Sequence, residues 1–301
     1  MRKNGLFIRC FRATLWLIAL FGTLQQAALA QGDKTMLTAR AGSPPLIEPE
    51  DAAILMDKLA LASEHASLCS RALAVARSFE NTPYGLLSKT AEEHLVISAR
   101  LFDCWTFVET TLAIALAAQH EEAGPERVAD YVRQLRYWGG TVDGYASRVH
   151  YLSGWLRQAQ DLGYLRDITK ELGGQPFQKD INYMSTHPEQ YPPLREPETM
   201  RRLLQVEARL SRRTHYYIPQ QDIERVEAQL REGDIIAITS ARPGLDFAHL
   251  GFAVVQHGRV HLLHASSLQK RVVVSAQPLG TYVRSQKGQI GIAVIRLVPE
   301  K

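Results

Sequence analysis

Phe102-Asp103-Cys104-Trp105-Thr106-Phe107-Val108-Glu109 sets a cysteine immediately before an apolar, helix-compatible run that continues to Ala118. If that run is a helix, Cys104 occupies its first turn. The unpaired backbone N–H groups and the positive dipole end there favour a thiolate. A thiolate so placed is a nucleophile in need of a base. Two segments downstream offer one, Ala248-His249-Leu250-Gly251-Phe252 and Leu263-His264-Ala265-Ser266-Ser267. A cysteine ahead of an apolar helix is often a plain core residue. The histidines must therefore carry the distinction.

Their spacing does so through strand geometry. From residue 234 onward the chain turns β-rich, with short runs at 234–239, 249–256, 259–264, 271–275 and 290–297. His257-Gly258 sits between two of them and suits a tight hairpin turn. With those two residues as the loop, Gln256 faces Arg259, Val254 faces His261 and His249 faces Ser266. Side chains alternate between faces with period two, so His264 shares a face with His249, one diagonal step away. His261 points to the other face.

Upstream the pattern is helical. Residues 50–80 read as one or two helices, with others at 104–119, 125–137, 145–162 and 199–211 and a short one at 225–231. Thr82-Pro83-Tyr84-Gly85 reads as a turn, and 173–198, rich in Gly, Pro, His and aromatics, as a long ordered loop. Helices first and an antiparallel sheet second predict an α+β fold. The expectation is one domain over 49–301 with a helical and loop insertion at 137–217. Its nucleophile helix would pack on a sheet of about five to six strands.

The first thirty residues read as an export leader. Arg2, Lys3, Arg9 and Arg12 precede an apolar stretch from Ala13 to Leu24, and Ala28-Leu29-Ala30 is a small-x-small cleavage site. Cleavage after Ala30 would leave Gln31 first, a loose lead-in over 31–48 and no stable membrane anchor. The four leader cations are the whole formal excess of +4. The remaining chain is balanced in charge, so its basic pI is no footprint for nucleic acid. Cys69 and Cys104 are the cysteines left after processing. Cys69 reads as a small core residue rather than a disulfide partner. Zinc would accept His249, His264 and Cys104, with Asp246 nearby, but no further ligand stands at a telling spacing. No cofactor is expected.

At these residues a resemblance becomes specific. Asp103-Cys104 before a helix, His249-Leu250-Gly251-Phe252 and His264-Ala265-Ser266-Ser267 resemble the NlpC-type, papain-like cysteine hydrolases of bacterial cell walls, with their Cys-His-His triad. Within that superfamily the chain resembles the N-acetylmuramoyl-L-alanine amidase-like branch. The matching motifs are Thr82-Pro83-Tyr84, Asp103 through Glu109, Arg136-Tyr137-Trp138-Gly139-Gly140, Ser147-Arg148-Val149-His150-Tyr151, Tyr183-Met184-Ser185 and Gly233-Asp234-Ile235-Ile236.

The resemblance implies a papain-like core and a periplasmic enzyme acting on peptidoglycan or soluble muropeptides. Cys104 would be the nucleophile, His249 the base and His264 its orienting partner. The bond would be the muramoyl–L-alanine amide; cleavage between D-glutamate and the diamino acid is the alternative. A wall-binding protein without catalysis and a metal-stabilised exported domain are the readings outside that class. Tyr84 is the expected substrate-pocket tyrosine or else a core residue. Tyr137, Trp138, Arg148, His150 and Tyr151 form a candidate substrate wall or else core and surface pairs. Asp246 could take a stem-peptide ammonium or serve a turn.

Overall fold

The computed structural model describes residues 44–87 and 92–298. The expected leader and most of the lead-in lie outside the described residues. Four helices come first: α1 (Pro49–Ser63), α2 (Leu68–Ser78), α3 (Cys104–Ala117) and α4 (Pro125–Arg136). Every residue of α3 from Thr106 to Ala117 is buried. A helix apolar on all sides belongs in the middle of a fold, and α1, α2 and α4 surround it.

The second half builds the sheet. Its longer strands are β4 (Ile235–Ser240), β5 (Phe247–Gln256), β6 (Arg259–Ser266), β7 (Arg271–Val274) and β8 (Gln289–Leu297). They match the five β-rich runs closely. Three further strands enlarge the sheet to eight: β1 (Leu165–Asp167), β2 (Gln175–Phe177) and β3 (His215–Pro219). The order is β2-β3-β8-β4-β5-β6-β7, with β1 also on β8, and each of these pairings is antiparallel.

This corrects the expectation of five to six strands and of a helical and loop insertion at 137–217. That segment also carries β1, β2 and most of β3. One edge of β8 is long enough to serve two short partners in succession, β3 at Gly291 and Ile292 and β1 from Ile295 to Leu297. Strands of three residues are too short to show a period.

Each face of the sheet has its own core. Leu250, Phe252 and Val254 of β5, with Leu263 and Ala265 of β6, pack into the cluster that holds α1 to α4. Ala253, Val260 and Leu262 face the other way, onto Leu279 and Val283 of the short helix α7 (Leu279–Ser285) and onto Ile223 and Val226. Two further long helices, α5 (Leu152–Asp161) and α6 (Pro197–Ser211), belong to the 137–217 segment.

One local reading is corrected. Residues 82–85 form no turn; the turn lies just before them, with Asn81 at φ 73°. The segment then runs along β7: Asn81 N–H donates to Val272 O at 2.8 Å, Val272 N–H to Thr82 O at 2.8 Å and Tyr84 N–H to Lys270 O at 2.8 Å. Tyr84 also bridges Phe102, which ties it to the start of α3. Pro83 suits an edge, where its missing N–H costs nothing.

Candidate active site

Asp103 starts α3 with a capping box. Thr106 N–H donates to Asp103 Oδ1 at 2.7 Å, and Asp103 N–H donates to Thr106 Oγ1 at 3.0 Å. Cys104 is thereby held at the first helical position, half-buried, with a free thiol.

The hairpin has the expected register. Gln256 pairs with Arg259 and Val254 with His261; His257 and Gly258 both take positive φ, 50° and 76°. That is the backbone of a two-residue primed turn. His249 Nε2 and His264 Nδ1 meet at 2.6 Å, their rings at 89°. Gly251 permits this closeness, since a Cβ there would lie 2.9 Å from His264 Cβ and 2.6 Å from Leu263 O. His261 is turned away and bonds Ser275 O through Nδ1 at 2.8 Å.

The strand pairing between β5 and β6 is regular from Gln256 to Phe252. Just beyond it, the backbone N–H of Leu250, with those of Cys104 and Trp105, favours the charged form of the Cys104 thiol. These donors pull the thiol pKa down. Burial first, and the Asp103 carboxylate second, outweigh them and push it up to about 12. Burial lowers His249 to about 3, with His264 adding to the effect, and burial lowers His264 to about 4. The helix terminus alone predicts a thiolate. In the folded protein desolvation opposes charge on the thiol and on the imidazole alike.

A cavity of about 910 Å3 opens beside the start of α3. Its walls are Asp103, Trp105, Thr106 and Glu109 of α3, then Tyr145, Arg148 and His150, and Tyr191, Pro192 and Pro193 opposite. The ionised groups in it are largely engaged with one another. Arg136 pairs with Glu109 at 2.6 Å and Arg148 with Glu93 at 3.5 Å. Glu196 accepts from Glu198 N–H at 2.9 Å and caps α6. His150 bonds Tyr145 O at 2.8 Å, and burial holds it down at about 4.

The expected substrate residues divide. Arg148 and His150 line the cavity. Tyr84 does not line it, yet its phenol feels Cys104 and Asp103, and burial raises its pKa. Tyr137 and Tyr151 are 0 % and 1 % exposed and offer no face to a ligand. Tyr137 donates to Glu93 at 2.7 Å and Tyr151 to Glu207 at 2.6 Å. Trp138 lies beneath the Arg209 guanidinium, 4.7 Å away, beside a separate cleft of about 470 Å3. Asp246 is 1 % exposed and accepts from Ser153 N–H at 2.7 Å and Phe247 N–H at 2.8 Å. It secures the start of α5, and its burial keeps an ammonium from reaching it. Tyr137, Tyr151 and Asp246 thus take their core or turn alternative, and Trp138 stands outside the cavity beside α3.

Trp105, Tyr145 and Tyr191 are further wall residues. Trp105 carries a signal, its place beside Cys104; Tyr145 falls at the start of the helix expected from 145, which begins only at Leu152, and Tyr191 lies in irregular chain. Among the described residues no three His, Cys, Asp or Glu side chains converge as a metal site.

Comparison with known proteins places the chain in a family. Residues 74–292 match the family model described as N-acetylmuramoyl-L-alanine amidase-like. A crystal structure of an N-acetylmuramoyl-L-alanine amidase from Bacteroides uniformis is 34% identical, with TM-score 0.72 over 75% of this chain and 98% of that one. A Bacteroides fragilis protein provisionally assigned as a xylanase is 38% identical, with TM-score 0.69 over 73% and 98%. A Legionella pneumophila protein shares the fold at 22% identity, with TM-score 0.64 over 85% and 97%. No curated protein matches the chain.

Proposed function

Because the chain belongs to the N-acetylmuramoyl-L-alanine amidase-like family, we propose that it is a cysteine amidohydrolase with a papain-like, NlpC-type core. It cleaves peptidoglycan fragments at the amide between muramic acid and L-alanine. The observation that carries the mechanism is the 2.6 Å bond between His249 Nε2 and His264 Nδ1. It leaves His249 Nδ1 as the nitrogen available to Cys104.

The chemistry runs as acyl transfer. Cys104 Sγ attacks the lactyl carbonyl while its proton passes to His249 Nδ1. A C–S bond forms, and the carbonyl oxygen draws on the Cys104 N–H at the helix start. Protonated His249 returns the proton to the L-alanine nitrogen as the C–N bond breaks. Water, activated by the same imidazole, then hydrolyses the thioester. His264 accepts the His249 Nε2–H throughout and fixes its orientation. Desolvation opposes a resting ion pair, so the proton moves with the attack rather than before it.

The cavity, which adjoins Cys104 through Asp103 and Trp105, has a lining that suits a sugar. Both lining arginines bond carboxylates, and His150 is held neutral. What remains for a ligand is largely aromatic and proline surface with hydrogen-bonding edges, which suits an uncharged saccharide better than a polyanionic peptide. A glycosidase would need two carboxylates free to flank a sugar bond. Here Asp103 and Glu196 cap helices, and Glu93 and Glu109 pair with arginines.

Mass spectrometry of products from a muropeptide and from its sugar-free peptide tests this. The muropeptide is split into sugar and a peptide beginning at L-alanine, and the free peptide is a poor substrate. Equal cleavage of both after D-glutamate assigns the endopeptidase instead. The leader features of residues 1–30 support export to the periplasm. N-terminal sequencing of the exported protein then begins at Gln31; retention of Met1 in a membrane fraction contradicts it.

A further inference from the structure

The proposed base depends on a proton that the His249–His264 bond does not by itself assign. In one arrangement His249 Nε2–H donates to His264 Nδ1, and His249 Nδ1 is bare toward the thiol. In the other, His264 Nδ1–H donates to His249 Nε2, and His249 carries its proton on Nδ1. The second arrangement cannot take a proton from Cys104. The tautomer of His264 therefore switches the site on or off. The productive form needs His264 protonated on Nε2. That atom is buried and has no hydrogen-bond partner among the described residues. An orphaned N–H is unfavourable, so something must favour it there.

The neighbour that meets this imidazole is Tyr282. β6 turns His264 to the sheet face that α7 covers, where the ring is 2 % exposed. Tyr282 of α7 meets it in a tilted edge-to-face contact, with centroids 5.2 Å apart and planes at 61°. The electron-rich face of a phenol ring is a weak acceptor for an N–H and a poor neighbour for a bare ring nitrogen. Burial, with an ionised Cys104 adding to it, pushes the phenol up to about 12, so Tyr282 keeps its hydroxyl proton.

Resting on the Cys104–His249–His264 reading, we infer that Tyr282 is a positioning residue that selects the Nε2–H tautomer of His264 through its ring face. The hydroxyl is not required for this. The inference makes α7, a helix outside the motif pattern, part of the base's support.

Two measurements test it on the exported chain. Nitrogen-15 NMR of the histidine rings, made on Cys104→Ala protein, reads the His264 tautomer without any need for turnover. The expected result is Nε2–H in the parent and in Tyr282→Phe, with Nδ1–H gaining in Tyr282→Leu. In kinetics on a muropeptide, Tyr282→Phe keeps its rate. Tyr282→Leu loses about fivefold to tenfold in kcat at unchanged KM, the scale of one aromatic contact.

A parent His264 protonated on Nδ1 overturns the inference, even if Tyr282→Leu fails to fold. So does a Tyr282→Phe variant as slow as Tyr282→Leu, or a loss of rate with no change of tautomer. Activity persisting in Cys104→Ala removes the cysteine mechanism instead, while the NMR still judges the tautomer.

Discussion

The β5–β6 hairpin and the segment from 137 to 217 make opposite cases. In the hairpin, a turn at His257-Gly258 and period-two alternation place His249 and His264 together and His261 apart, as the strands have it. In the segment, aromatic residues beside arginine and histidine suggest a substrate wall, yet Tyr137 and Tyr151 are core and Trp138 serves another cleft. A ladder transmits position locally: once one pair is known, every later pair follows. An irregular segment has no such rule, and each side chain's direction depends on what packs against it.

The largest expected effects break or keep the hairpin side of this comparison. Cys104→Ala and His249→Ala should each lower kcat by orders of magnitude, roughly 10³-fold or more, while Cys69→Ser stays near the parent. Circular dichroism should show both inactive variants folded. Undiminished turnover in Cys104→Ala would sink the mechanism. His264→Ala should cost less, about 10²-fold or more in kcat. His261→Ala should instead lose about 1 kcal/mol of stability through its bond to Ser275 O, at unchanged rate. The reverse pattern would mean that the register argument identified the wrong histidine.

Acid stability comes next. His249 is lowered to about 3, and His264 and His150 to about 4, from 6.5. Between these values the unfolded chain binds protons that the folded one refuses. Stability is therefore full above pH 6.5 and falls as pH drops toward 4. The slope is roughly 1.4 kcal/mol per pH unit for each histidine. Urea unfolding at several pH values measures the slope, and His264→Asn should flatten it. A slope that His264→Asn leaves unchanged would show that the hairpin pair is not its source.

The smallest effect sharpens the other side. Tyr151→Phe removes the buried hydroxyl that bonds Glu207 and receives Met184 N–H at 2.9 Å. About 1–3 kcal/mol of stability should go, with KM unchanged. Tyr191→Ala, at the cavity, should instead raise KM for a muropeptide with little loss of stability. A raised KM in Tyr151→Phe would restore it to the substrate wall.

How much of the site was legible follows the same division. Cys104 was visible because a helix start is written locally, in Asp103 and the apolar run after it. His249 and His264 were visible because a ladder has a period. The raised thiol pKa was not, since it results from burial and Asp103 outweighing the N–H groups of Leu250, Cys104 and Trp105. Tyr282 was not, since α7 shows no feature that ties it to a strand. Nor were β1, β2 and β3, whose pairing is chosen by the free edge of β8.

The sequence by itself determined an α+β chain, the central buried helix with its cysteine at the first position, the hairpin register and the pairing of two histidines. Those follow from capping, periodicity and turn chemistry, which act over a few residues. Tertiary structure alone decided that the histidines lie on the α7 face while the body of α3 covers the other. It also decided that the 137–217 segment joins the sheet, which aromatics line the cavity, and that desolvation opposes charge on the thiol. Burial and field at a point are sums over residues far apart in the chain, and no local pattern contains them.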